Sequence, residues 1–285
     1  MNTQLIFGAL KESISITLII FFLMIVIEIL VLKFKSYMFK FMKKNNSVKY
    51  IISSFFGIIP GCVGTFAMDS LYMSGLLTFG GIISVMVATS GDEAFIMLGM
   101  VAKGDISLNS LLLLISSLFI IGIFAGILSD IIKNKFKMKT CEKCRIINHE
   151  KEELKFKHFI KEHLYNHILK KHIWKIFIWI FLAIYLISLL DQSFSLEFNN
   201  YSLFVMLIIA SLIGILPISG PNAFLLVMFS KGYIPFSILL ANSIIQDGHG
   251  LLPIMGYSIN DSIKIKVFNF ILGLGIGILL LSMGL

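Results

Sequence analysis

Laid on itself with a displacement of 157 positions, the chain meets its own backbone punctuation a second time. Gly57, Ile58, Pro60, Gly75, Phe79, Gly91 and Gly99 fall on Gly214, Ile215, Pro217, Gly232, Phe236, Gly248 and Gly256 without a gap. Five of the seven are Gly or Pro, the residues that decide where a helix bends or stops. Any fold for this chain must therefore use one interrupted element twice.

The medium of that element follows from composition. Of the 285 residues, 57% are hydrophobic and 14% charged, and the mean hydropathy is +0.92. No soluble domain has this balance, and it reads as a polytopic membrane protein. Ile14–Leu32, Leu76–Val101, Leu108–Ile132, Ile173–Leu190, Tyr233–Tyr257 and Val267–Leu285 each approach the ~20 residues that cross ~30 Å of hydrocarbon. The first of them ends in Lys33-Phe34-Lys35 rather than a small-residue cleavage site, so it is expected to stay as a membrane helix. Two further apolar stretches, Tyr50–Ser74 and Tyr201–Ser230, are broken in the middle by Pro60-Gly61-Cys62-Val63-Gly64 and Pro217-Ile218-Ser219-Gly220-Pro221. Their arms are too short to cross separately, which favours re-entrant helical hairpins over single proline-kinked helices.

Charge placement arbitrates. Of 24 Lys and Arg, six lie in 33–49, thirteen in 133–175, and Lys264 and Lys266 in a third loop. They form no basic face, so no nucleic-acid partner is expected, and the positive-inside rule places all three loops in the cytoplasm. An even number of crossings must then separate the loops, which two spans plus a returning hairpin satisfy. The expected fold is an all-α polytopic membrane protein of two inverted repeats, with about six full spans and two re-entrant helical hairpins, ten segments in all. It divides into a first membrane half (1–132), a basic cytoplasmic connector (133–172) and a second half (173–285), multi-pass in the cytoplasmic membrane with both termini outside. A homodimer is compatible with this plan. Inverted repeats with interrupted helices mark secondary transporters, whose sites lie where the broken elements meet.

Two knots of polar residues sit where lipid tolerates almost none: Thr89-Ser90-Gly91-Asp92-Glu93 and Gln246-Asp247-Gly248-His249-Gly250. Unpaired at mid-bilayer, Asp92, Glu93 and Asp247 would together cost on the order of 8–10 kcal/mol. The displacement pairs Gly91 with Gly248, Ser90 with Asp247 and Asp92 with His249. Polar residues flanking each glycine point to local unwinding there, and inverted copies would bring the two knots together. Asp92, Glu93, Asp247 and His249, with Ser90 and Gln246, then form a hard-oxygen and borderline-nitrogen set suited to Mn²⁺ or a similar cation. Pro60, Cys62, Thr65, Pro217, Ser219 and Asn222 stand at the hairpin tips in reserve. The competing reading is that these groups merely pair with one another. Asp69, in the returning arm of the first hairpin, faces either the same cavity or the interface. In the connector, Cys141-x-x-Cys144 and the one-turn pair His163 and His167 have metal-ligand spacing, against the alternative of a basic helix lying on the inner leaflet.

At Pro60-Gly61-Cys62, Ser90-Gly91-Asp92-Glu93-Ala94-Phe95, Ser219-Gly220-Pro221 and Gln246-Asp247-Gly248-His249-Gly250-Leu251-Leu252-Pro253 the chain resembles a bacterial family named both as manganese transporters and as arsenic efflux proteins or ten-transmembrane heavy-metal exporters. The resemblance implies efflux of a metal or metalloid. Arsenite favours several thiolates, and only Cys62 lies in the membrane region; an oxyanion wants cationic groups there, and the one Arg, Arg145, is in the connector. Divalent-cation export, coupled to protons through Asp92, Glu93 and Asp247, is the expected function, with the metal as cargo and no cofactor. An arsenite or oxyanion carrier is the alternative. An intramembrane enzyme is disfavoured by the lack of any His-Glu-x-x-His motif, and a channel would differ in showing no counter-transport.

Overall fold

A computed structural model describes residues 6–22, 25, 48–73, 75–91, 93–140, 174–193, 200–216 and 220–284. Helices account for nearly all of them, and there is no strand among the described residues. A helix through 6–22 (α1) precedes α2 (Val48–Ile58), α3 (Val63–Met73), α4 (Phe79–Ala88), α5 (Glu93–Lys103) and α6 (Leu108–Lys135). The second half brings α7 (Trp174–Ser193), α8 (Asn200–Ile215), α9 (Asn222–Ser230), α10 (Phe236–Ile245), α11 (Leu251–Tyr257) and α12 (Ile259–Ser282). Local chemistry sets several starts. Thr78, Ser107 and Ser258 each accept a hydrogen bond from a backbone N–H three residues on, opening α4, α6 and α12.

The internal repeat survives as geometry. Both ends of α4 lie 157 positions before the ends of α10, and the glycines that punctuate the copies share their conformation. Gly75 and Gly232 have φ of 74° and 76°, and Gly91 and Gly248 have φ of 50° and 52°. The left-handed region at the second pair is where an L side chain would be strained, and it re-aims the chain from one half-helix into the next.

Contacts orient the copies. Tyr50, at the start of α2, donates to Asp130 Oδ2 near the end of α6 at 2.8 Å. Asp130 Oδ1 accepts from Gly80 N at the start of α4 at 2.7 Å. Tyr72, at the end of α3, donates to Asp261 Oδ2 at the start of α12 at 2.6 Å, and Lys264 of α12 donates to the Lys139 carbonyl just beyond α6. One end of the bundle, rich in Lys133, Lys135, Lys137, Lys139 and Lys264, thus gathers both free ends of the α2–α3 hairpin. α12 passes Ile245 at Lys266 and Ala241 at Gly277 as it leaves this basic end, so α10 runs toward that end while α4 runs away from it. The copies are inverted.

Among the described residues, three runs are long and apolar enough to cross a membrane: Phe79–Lys103, Leu108–Lys135 and Ile259–Ser282. Their windows are 94%, 33% and 22% buried, which puts the interrupted run at the centre and the continuous ones outside. There α6 and α12 present Leu112, Ile120, Phe124, Ile263, Ile271 and Leu279 outward, as lipid-facing helices do. Glycines let the inner and outer helices touch. Gly122 and Gly126 of α6 lie against Ala88, Ser84 and Gly80, while Gly273 and Gly277 of α12 lie against Ile245 and Ala241, the repeat mates of Ala88 and Ser84.

Leu76–Val101 and Tyr233–Tyr257 are each interrupted where local unwinding is expected: the helix stops at extended Thr89 or Gln246 and left-handed Gly91 or Gly248 re-aims the chain. One sequence expectation is corrected. The last span begins at Ile259 rather than Val267, so Lys264 and Lys266 leave their expected loop and enter α12. Asp92, Cys141, Cys144, His163, His167, Pro217 and Ser219 lie outside the described residues.

Candidate functional site

Two half-helices end head to head at the bundle centre. After Ala88 the chain turns extended at Thr89 (φ −77°, ψ 130°), and after Ile245 it does the same at Gln246 (φ −75°, ψ 133°). Gln246 Nε2 donates to the Thr89 carbonyl at 3.4 Å, across 157 positions. Repeat-equivalent residues touch each other only on the pseudo-twofold axis that relates them, so this bond marks the axis. Each hairpin then packs on a break. Gly61 N donates to Gly91 O at 3.0 Å, and the Thr65 and Thr89 hydroxyls share a hydrogen bond at 3.3 Å. On the other side Asn242 Nδ2 donates to Asn222 Oδ1 at 3.1 Å and to the Ala210 carbonyl at 2.8 Å. Pro60 and Cys62 sit in the turn of the first hairpin, Cys62 buried.

The charged chemistry lies to one side of the axis. Asp247 is 1% exposed. Its Oδ1 accepts from Asn269 Nδ2 at 2.8 Å, and its Oδ2 forms an ion pair with Lys266 Nζ at 2.7 Å. The same ammonium donates to the carbonyls of Gly214 at 2.9 Å and Ile245 at 3.1 Å. Asp69 of α3, fully buried, lies within electrostatic reach of Asp247. Neither of its oxygens has a hydrogen-bond partner among the described residues. Asp69 is thus enclosed within the bundle and not exposed at its end.

On the other side of the axis Ser90 and Glu93, both buried, line a recess with Ala94, Met97, Leu111, Leu114, Ile115 and Leu226. The repeat makes the comparison pointed. Ser90 is the mate of Asp247 and Leu226 the mate of Asp69. By the glycine contacts of α6 and α12, Ile115 is the mate of Lys266 and Leu118 the mate of Asn269. Four polar residues in one half answer to three aliphatic side chains and a serine in the other.

Asp92, a member of the expected ligand set, lies outside the described residues. Among the described residues, no three His, Cys, Asp or Glu side chains gather into a metal-binding group. Glu93 lines the recess beside Ser90, Asp247 faces Lys266 and Asn269, and His249 is half-buried. Sequence reasoning missed Lys266, Asn269 and Asn242. A signal for the first two existed: Lys266 and Asn269 are three residues apart on one helical face, and Asn269 is a polar interruption of the run Val267–Leu285. Counting Lys266 among loop charges hid it.

No curated protein and no solved structure matches the chain. The family described as "Putative, 10TM heavy-metal exporter" matches residues 6–203 and 173–282, which together take in both repeats and the junction between them. The chain belongs to this family of ten-segment heavy-metal exporters.

Proposed function

We propose that the chain is a secondary carrier that exports a divalent metal cation, manganese first, from the cytoplasm through the junction of its broken helices. The observation that carries this reading is a surplus of buried oxygen acceptors beside Asp247. Both oxygens of Asp69, Gln246 Oε1 and Asn269 Oδ1 have no donor among the described residues. Buried acceptors without donors are costly, and a hard cation ligated by carboxylate and amide oxygens offsets that cost. Among the described residues beside Asp247, two buried carboxylates, Asp69 and Asp247, stand against one ammonium, that of Lys266. This balance favours a cation over an oxyanion. For arsenite the described residues offer one thiol, Cys62, at the hairpin turn.

The basic end faces the cytoplasm in this reading, as positive-inside charge placement directs, and the α2–α3 hairpin re-enters from that side. Asp69 exchanges protons for metal, which couples export to the proton gradient. The test is uptake by inverted vesicles of Mn²⁺, Fe²⁺, Zn²⁺, Co²⁺ and arsenite, with and without an imposed pH gradient. Saturable Mn²⁺ uptake driven by the gradient and abolished in Asp69→Asn is expected. Arsenite flux in place of Mn²⁺, or undiminished Mn²⁺ flux in the variant, would refute the assignment.

A further inference from the structure

The least expected group at the junction is Lys266. Its ammonium is held by three oxygens: Asp247 Oδ2 at 2.7 Å, the Gly214 carbonyl at 2.9 Å and the Ile245 carbonyl at 3.1 Å. Gly214 and Ile245 belong to the last turns of α8 and α10, where carbonyls lack helical partners and carry the negative end of the helix dipole. One carboxylate and two helix-end carbonyls converging on a point form a cation cage, and the ligand types are those a hard divalent ion takes. The fold does not require a charge there. In the inverted copy the same place is built from Ser90, Ile115 and Leu226, and the outer helix packs on the inner one through glycine just as it does here. The ion pair is therefore an addition to one half of a scaffold that closes without it in the other.

We infer that the Asp247, Gly214 and Ile245 oxygens form the cation-binding cage and that Lys266 is a tethered competitor. It fills the cage when no metal is bound and must swing out when metal enters. This inference rests on the proposed export of a divalent cation. A tethered competitor lowers affinity without lowering capacity, and its return helps expel the ion. Its loss should tighten binding and slow turnover together, a pattern that a merely structural ion pair does not produce.

The experiment uses the full-length protein in nanodiscs, with Mn²⁺ binding followed by loss of the free-ion electron paramagnetic resonance signal and turnover measured in vesicles. Lys266→Met is expected to bind Mn²⁺ at least about tenfold more tightly, with lower maximal flux. Lys266→Arg keeps a charge that cannot be given up and grips a carboxylate in bidentate fashion, so weaker Mn²⁺ binding than wild type is expected. Asp247→Asn separates the two layers of argument. Wild-type Mn²⁺ binding by that variant would sink the site itself. Lost binding in Asp247→Asn, together with unchanged or weaker binding in Lys266→Met, would sink the competitor role alone. Should Lys266→Met fail to fold, Lys266→Arg decides: affinity equal to or above wild type overturns the inference.

Discussion

Whether Lys266 and Asp247 form a desolvated pair can be read from stability with metal chelated. Asp247 is 1% exposed and the Lys266 side chain 12%, so neither charge keeps much water. Asp247→Asn strands the ammonium on two carbonyls, and Lys266→Met strands the carboxylate on Asn269 alone. Removing one partner of a buried pair costs about 3–5 kcal/mol, and the first variant should fall near the lower bound because two acceptors remain. The double variant leaves no buried charge at this point, so its cost should stay near ~1 kcal/mol. The coupling energy would then be about 5–7 kcal/mol in magnitude. At roughly 2–4 °C per kcal/mol, each single variant should melt on the order of 10 °C below wild type, with the double variant close to it. Thermal unfolding in detergent with excess chelator, followed by tryptophan fluorescence, measures this. A lysine in a solvated loop gives ~0.2–1 kcal/mol and near-additive effects. Single variants within a degree or two of wild type, or additive losses, would refute the buried pair.

Two further outcomes follow from geometry. Asp69→Asn removes a carboxylate that has no hydrogen-bond partner among the described residues. Melting should change by less than ~1 kcal/mol while gradient-driven metal flux is lost, and a large fall in stability would show that Asp69 has a structural partner. Gly248 at φ 52° should tolerate Ala only at a cost of about 1–2 kcal/mol, whereas Gly256, with nothing near its absent Cβ, should accept Ala at no cost or with a small gain. Comparing the melting of the two variants checks this, and equal effects would count against the left-handed break.

Much of this arrangement was legible because the informative residues are those with few alternatives. Gly and Pro spaced 157 apart gave the repeat, and the polar knots gave the junction. Thr89 and Gln246 meet where the two copies cross. What remained hidden depends on the third dimension. Lys266 reads as a loop charge until the early start of α12 at Ile259 carries it into the bundle, and no local signal tells a lysine bound for the interface from one that turns inward. Asp69 could face either way on a hairpin arm, since one turn of helix separates cavity from interface.

Two of the three oxygens around the Lys266 ammonium are main-chain atoms. A genetic screen that changes side chains one at a time would record Gly214 and Ile245 only for packing, since the carbonyls survive any substitution that keeps the helices in place. The aperture between those carbonyls is fixed by how closely α8, α10 and α12 approach, and Gly273 against Ala241 and Ile245 sets part of that spacing. Discrimination between ions of different radius is thus written partly into small residues that never touch the ion. Variants with altered metal preference should be sought among such glycines as well as among the acids.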